Sequence, residues 1–211
     1  MQSTRIWFEK RGRAKYISHL DLMRAMTRAV RRAALPLWFT EGFHPIPYLS
    51  FPLPLSLGQE GLREAFDIRL IEDMPFDEIR DRLNEALPEG LRVLNVAEPW
   101  CKPGEIKAAE YLAKLPGADI HQIEAQLQAG NLTAKKTGKQ GRRKVEKEVA
   151  LAPMIKSYHL RAEENAVLMD CVLAAGSEVN LNPALLTGAL GVPMAEITRL
   201  RLLREDGTGW E

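Results

Sequence analysis

Cysteine is scarce: the 211-residue chain carries only Cys101 and Cys171, far apart and without a nearby histidine cluster. A structural zinc site needs its thiolates and imidazoles at short spacing. A three-cysteine iron–sulfur motif needs one thiol more than the chain holds. Both are excluded, and the two thiols are expected to be free. Charge of one sign is also lacking, since 29 basic residues meet 28 acidic ones for a formal net charge of +1. Net charge alone therefore points to no polyanion. No apolar run approaches the roughly 18 residues of a membrane helix. The opening MQSTRIWFEKRGR has no apolar stretch of the kind that marks a secretory signal. A cytoplasmic protein with no membrane partner is expected. A phosphate-binding P-loop, a dinucleotide glycine fingerprint, a serine-nucleophile elbow and a HExxH motif are all missing. No metal site and no cofactor are expected. What remains, 45% hydrophobic with 27% charged residues, is ordinary for a folded chain of one or two domains.

The distribution of charge says more than its sum. Residues 11–32 hold seven basic side chains (Arg11, Arg13, Lys15, Arg24, Arg28, Arg31 and Arg32) against Asp21 alone. Residues 135–147 hold seven more (Lys135, Lys136, Lys139, Arg142, Arg143, Lys144 and Lys147) against Glu146. Acid gathers elsewhere, notably over 60–89. Two basic patches on a neutral chain point to a polyanionic partner. The plainer alternative is solvated surface charge, with the arginines paired to the acids of 60–89.

Residues 4–11 alternate apolar and polar side chains and read as a strand, resuming over 14–17 after a turn at Gly12. Ser18 is placed to cap a helix, with Asp21 as the carboxylate of a capping box. Leu22, Met23, Met26, Val30 and Ala33 mark its buried stripe, and Pro36 closes it. A short strand over 37–41, a loop with Gly42, Pro45 and Pro47, and an edge strand over 48–57 limited by Pro52 and Pro54 come next. A strand over 64–71, a helix from 75 or 76 to 87 and a strand over 91–96 complete a β-α-β-β-α-β order. Glu64 and Asp67 fall on opposite faces of their strand, a poor carboxylate pair. After a linker at 99–104 the plan repeats: a strand over 105–114, a helix over 119–129, strands over 132–137 and 146–150 around a basic hairpin, strands over 158–162 and 166–174, a helix from Pro183 capped by Asn182, and a final strand over 197–205. The expected fold class is α+β, two tandem ferredoxin-like (βαββαβ) halves, with domains at 1–100 and 104–211.

The segment from Lys15 to Arg24 (KYISHLDLMR), the arginines Arg28, Arg31 and Arg32, Leu35-Pro36 and Glu41-Gly42-Phe43-His44-Pro45-Ile46-Pro47 follow one another in a specific order. Together they resemble the bacterial radical SAM-linked family, a domain of unknown function of the DUF2344 type. That domain occurs alone or attached to B12-binding radical SAM proteins. The resemblance is strong over about 4–100. It implies an accessory protein that works with a radical SAM enzyme in RNA modification or processing.

Read from the residues themselves, Lys15, Ser18 and His19 lie at the positive end of the first helix, where free backbone N–H groups favour an anion. Arg24, Arg28, Arg31 and Arg32 extend that charge along a phosphate backbone. Phe43 beside His44 is a candidate to stack a base, with Tyr48 as a second aromatic. Lys135, Lys136, Lys139, Arg142, Arg143 and Lys144 form the second anion-binding segment. The expected partner is RNA, tRNA or rRNA. Two alternatives stay open: a metal-independent endoribonuclease using His19 and His44 for acid–base chemistry, and a protein-binding adaptor without RNA contact. The oligomeric state is not readable from the residues.

Overall fold

The structure is a computed structural model that describes residues 1–140 and 143–211, with side chains described outside 136–146. It is a mixed α+β fold. Among the described residues, four helices pack on one mostly antiparallel eight-stranded sheet, and a separate two-stranded hairpin stands beside it. The first half runs β1 (Gln2–Lys10), α1 (His19–Arg32), β2 (Leu49–Ser50), β3 (Glu60–Leu70), α2 (Phe76–Ala86) and β4 (Leu91–Ala97). The second runs β5 (Ala108–Pro116), α3 (Ile120–Gln128), the hairpin β6 (Thr133–Gln140) and β7 (Arg143–Ala150), β8 (Ile155–Glu163), β9 (Ala166–Ala174), α4 (Pro183–Ala189) and β10 (Glu196–Leu203). The sheet order is β4-β1-β3-β10-β5-β9-β8, with β2 also on β3. β10 joins the halves by parallel pairing to Glu60 and Gly61 of β3, while β2 takes Asp67 and Ile68.

Local chemistry explains the helix starts. Ser18 accepts the Asp21 N–H at 3.2 Å and donates its hydroxyl to the Asp21 carboxylate at 2.7 Å. Asp119 caps α3 through the His121 and Gln122 N–H groups, and Asn182 caps α4 ahead of Pro183. On α1 the side chains of Leu22, Met26, Ala29 and Val30 are buried. Met23 departs from the expected stripe: it is half-buried, because it lies about 100° round the helix from Leu22. These residues join Ile6, Phe8, Phe66, Ile68, Ile79, Leu83 and Val93 in one core. A second core gathers Tyr111, Ala113, Leu115, Ile123, Leu127, Met169 and Leu186.

Four expectations are corrected. Residues 14–17 form no strand; a 3-10 turn covers Gly12–Tyr16. Gly90, at φ +85°, lies so close to that turn that an added Cβ would meet the Arg11 carbonyl at 2.7 Å. Residues 37–41 make isolated bridges, Leu37 to Leu70 and Phe39 to Pro47, instead of a strand. The edge strand of 48–57 shrinks to Leu49–Ser50, since Pro52 and Pro54 cannot extend a ladder. The alternation of β1 does not put its polar residues in water either. Arg5 and Lys10 are buried, because β1 lies inside the sheet with both faces covered.

Candidate functional site

The arginines of α1 stand on its solvent face. Arg24 pairs with Asp21 at 3.1 Å in an exposed helical contact worth little. Arg32 donates to the Ala86 carbonyl at 2.6 Å, which satisfies the C-terminal end of α2. The Arg31 guanidinium lies 5.6 Å from the centre of the Phe39 ring. Arg28 is exposed. Among the described residues no ion pair ties Arg28, Arg31 or Arg32 to a carboxylate, so the acids of 60–89 do not neutralise this face. Several of those acids have partners elsewhere: on α2, Arg80 bonds Asp77 and Asp81. A groove of about 380 Å³ runs along α1 between Leu20, Met23, Arg24, Thr27, Arg28 and Arg31.

At the start of α1, Ser18 and Asp21 cap each other, so a carboxylate already occupies the helix N-terminus. This weakens the expected anion site there and moves the weight of the basic face toward Arg28 and Arg31. The Lys15 carbonyl accepts from Gly58 N–H at 2.8 Å and from the buried Lys10 ammonium at 3.4 Å; the Lys15 ammonium lies 5.4 Å from the Tyr16 ring. His19 packs edge-on to Phe51, its ring centre 5.2 Å away. Its Nδ1 is buried without a hydrogen-bond partner. Burial first, then the charge of Lys10, lowers its pKa and keeps the imidazole neutral.

Residues 37–48 fold as an arm off the sheet. Thr40 N–H donates to the Ile46 carbonyl at 2.9 Å, and Ile46 N–H donates back to Thr40 Oγ1 at 3.2 Å. Tyr48 N–H bonds the Trp38 carbonyl and Trp38 N–H bonds the Arg69 carbonyl. The tip carries Phe43, fully exposed at 102% of its reference area, and His44, also exposed. Gly42, at φ +131°, turns the chain there. The two candidate imidazoles have different surroundings. His19 is wedged under Phe51, His44 stands in solvent, and among the described residues no hydrogen bond joins them.

The second basic segment belongs to the other half, where β6 packs on α4 while α1 packs on α2. Lys135 is exposed on β6. The side chains of Lys136, Lys139, Arg142, Arg143 and Lys144 lie outside the described residues.

Two charged constellations escaped the sequence reading. On the α1 side, at the junction of the halves, Glu64 of β3 and Arg199 of β10 form a fully buried bidentate pair. Arg199 Nη2 also donates to the Leu53 carbonyl at 2.9 Å, which pins the 51–57 segment and leaves Leu53 buried. Burial works against the Arg199 charge, but Glu64 outweighs it and holds that pKa above the ordinary arginine value. Lys10 lies in the same electrostatic neighbourhood, its pKa lowered by burial, with Glu64 opposing and Arg199 adding to the shift. Gln59 reaches Asn182 at 2.8 Å and adds a second bond between the halves. On the other side, Arg5 grips Asp67 at 2.8 and 3.0 Å, and Arg69 lies 4.6 Å from the Tyr48 ring and 5.5 Å from Trp38.

The family model named "Uncharacterized protein conserved in bacteria (DUF2344)" matches residues 4–183, and the chain belongs to that family. No curated protein matches the chain. A solved chain described as "Crystal Structure of a Cbf5-Nop10-Gar1 Complex" is similar at 12% identity and a TM-score of 0.49, over 96% of this chain and 50% of that one. The present chain spans half the length of that neighbour, and the likeness is too distant to transfer a function. No helix of the described residues is long and apolar enough to cross a membrane.

Proposed function

We propose that the protein is an RNA-binding accessory factor whose phosphate-receiving surface is the outer face of α1. One observation carries this reading: among the described residues Arg28 and Arg31 stand on that face without a carboxylate partner, beside the exposed Leu20 and the half-buried Met23. A row of unneutralised guanidiniums at helical spacing suits a phosphate backbone, and each contact makes binding salt-dependent. The fully exposed Phe43 supplies a ring for stacking. The basic hairpin at 135–147 is read as a second arm on the same RNA, tRNA or rRNA. The radical SAM enzyme as working partner, and a cytoplasmic setting, rest on the sequence resemblance.

The two halves, 1–100 and 104–211, are read as tandem ferredoxin-like units. The support is their parallel strand orders, β4-β1-β3-β2 and β10-β5-β9-β8, each with two helices in the same chain positions. The ribonuclease reading has less support, because His19 and His44 occupy separate surroundings. The adaptor reading, in which an edge strand at 48–57 would dock a partner, has less support, because that edge is reduced to Leu49–Ser50 and the Leu53 carbonyl is taken by Arg199.

The test is fluorescence anisotropy with tRNA and rRNA fragments at low salt, comparing wild type with Arg28→Glu/Arg31→Glu after circular dichroism has matched their folds. Tight binding by wild type and at least a tenfold loss in the variant are expected. Wild-type affinity no higher than that of a neutral control protein overturns the proposal, as does a variant that binds like wild type.

A further inference from the structure

On the side of β3 away from the buried Glu64, a cleft of about 210 Å³ opens at the foot of the arm. Ser3, Arg5, Tyr48, Asp67, Arg69 and Lys102 line it. Its walls are fixed. The Trp210 indole donates to the Lys102 carbonyl at 2.9 Å, holding the 99–103 linker in place. The Arg5 guanidinium lies 3.9 Å from the Trp210 ring centre while it grips Asp67. The lining is mainly polar, so hydrogen bonding and charge, more than apolar burial, set what this small cleft can hold.

The polar groups define the ligand. Arg5 is 1% exposed, whereas its partner Asp67 is 17% exposed. Each Asp67 oxygen accepts one bond from Arg5 and keeps a second lone pair for a donor. Arg5 also cancels the charge of Asp67, so the cleft keeps the positive charges of Arg69 and Lys102. Arg69, which makes no ion pair among the described residues, lies against Tyr48 and offers a flat cationic plane. A carboxylate acceptor beside a stacked guanidinium and a phenol ring matches a nucleobase: the base edge gives N–H donors, its face stacks, and its phosphate meets the cations.

Resting on the RNA reading above, we infer that this cleft receives one unpaired nucleobase, with Asp67 accepting from the base edge and the Arg69–Tyr48 stack covering its face. The arm links the two surfaces. Its Phe39 side meets Arg31 of α1, and its Trp38 and Tyr48 side meets Arg69 at the cleft. A strand held on α1 can thus pass round the arm and place a base in the cleft. The favoured RNA has an unpaired loop or end next to a paired stem.

The experiment compares two RNAs of equal length and charge, a stem with an adenosine-rich loop and a fully paired duplex, against wild type, Arg69→Ala, Tyr48→Leu and Arg28→Glu. Arg69→Ala and Tyr48→Leu change partly exposed side chains and leave the Arg5–Asp67 pair intact, and circular dichroism checks their folds. Wild type is expected to prefer the loop RNA about tenfold, in line with the loss of one stacked base. Arg69→Ala and Tyr48→Leu should abolish the preference and keep duplex affinity, while Arg28→Glu should weaken both RNAs alike. Equal wild-type affinity for the two RNAs, or an unchanged preference in both cleft variants, overturns the cleft and leaves the α1 reading standing. Failure of every RNA to bind overturns both.

Discussion

Removing one partner of the buried Glu64–Arg199 pair should destabilise the protein in an asymmetric way. Both side chains are almost fully excluded from water, and Lys10 is the further charge placed by them. Arg199→Met leaves the Glu64 carboxylate buried, but Lys10 can still act as its counter-ion. Glu64→Gln leaves two buried cations, Lys10 and Arg199, with no anion between them. Breaking a buried pair from one side costs about 3–5 kcal/mol. Arg199→Met should fall near the lower end of that range and Glu64→Gln near the upper. Against a total stability of about 5–15 kcal/mol, either loss is severe. The double variant Glu64→Leu/Arg199→Met removes that pair but leaves Lys10 as one buried cation without Glu64 and orphans the Leu53 carbonyl, so it should fall between wild type and Glu64→Gln. Urea unfolding followed by tryptophan fluorescence and by circular dichroism would measure all three. A Glu64→Gln variant more stable than Arg199→Met, or a double variant worse than both singles, refutes this electrostatic account of the junction.

Other outcomes follow from the same geometry. His19 has a lowered pKa when folded, so the unfolded chain binds that proton more tightly. Its contribution is complete above the ordinary histidine value of 6.5 and is lost as pH falls below it toward the folded value. Stability measured between pH 7 and 5 should therefore fall less in His19→Gln than in wild type, and parallel curves would contradict the burial of its Nδ1. Asn182→Ala removes both the α4 cap and the bond from Gln59, and should lower stability by about 1–2 kcal/mol in urea melts. Ser18→Ala should cost about 1 kcal/mol by the same assay. Cys171 is buried and its thiol is pushed up to about 12, chiefly by burial, and Cys101 is buried too. A thiol reagent at neutral pH should label both only at the rate of unfolding.

Much of the frame was legible in short-range chemistry. Ser18 with Asp21, and Asn182 before Pro183, announce two helix starts, because capping is decided within four residues. The α1 stripe and the alternation of β5, β9 and β10 are local signals of the same kind. The charged centres were not legible, because they are made by pairing across the chain. Arg199 lies 135 positions from Glu64. A shift of register between β1 and β3, near Lys10 and Gly61, changes which face each strand end presents. Glu64 and Asp67 were correctly read as facing opposite ways, but each proved to hold its own arginine, and nothing in their spacing names those partners. The surroundings of His19 were hidden for a related reason: its ring packs on Phe51, and the proline-rich 51–57 segment that carries Phe51 is held by Arg199 at the Leu53 carbonyl.

The most direct test of the account is the salt dependence of RNA affinity. If α1 meets three phosphates through Arg24, Arg28 and Arg31, log K should fall with log salt at a slope of about −2 on single-stranded RNA. Arg28→Ala should make that slope shallower by about 1 while weakening all RNA sequences alike. A slope that Arg28→Ala leaves unchanged would place the phosphates elsewhere and contradict the account.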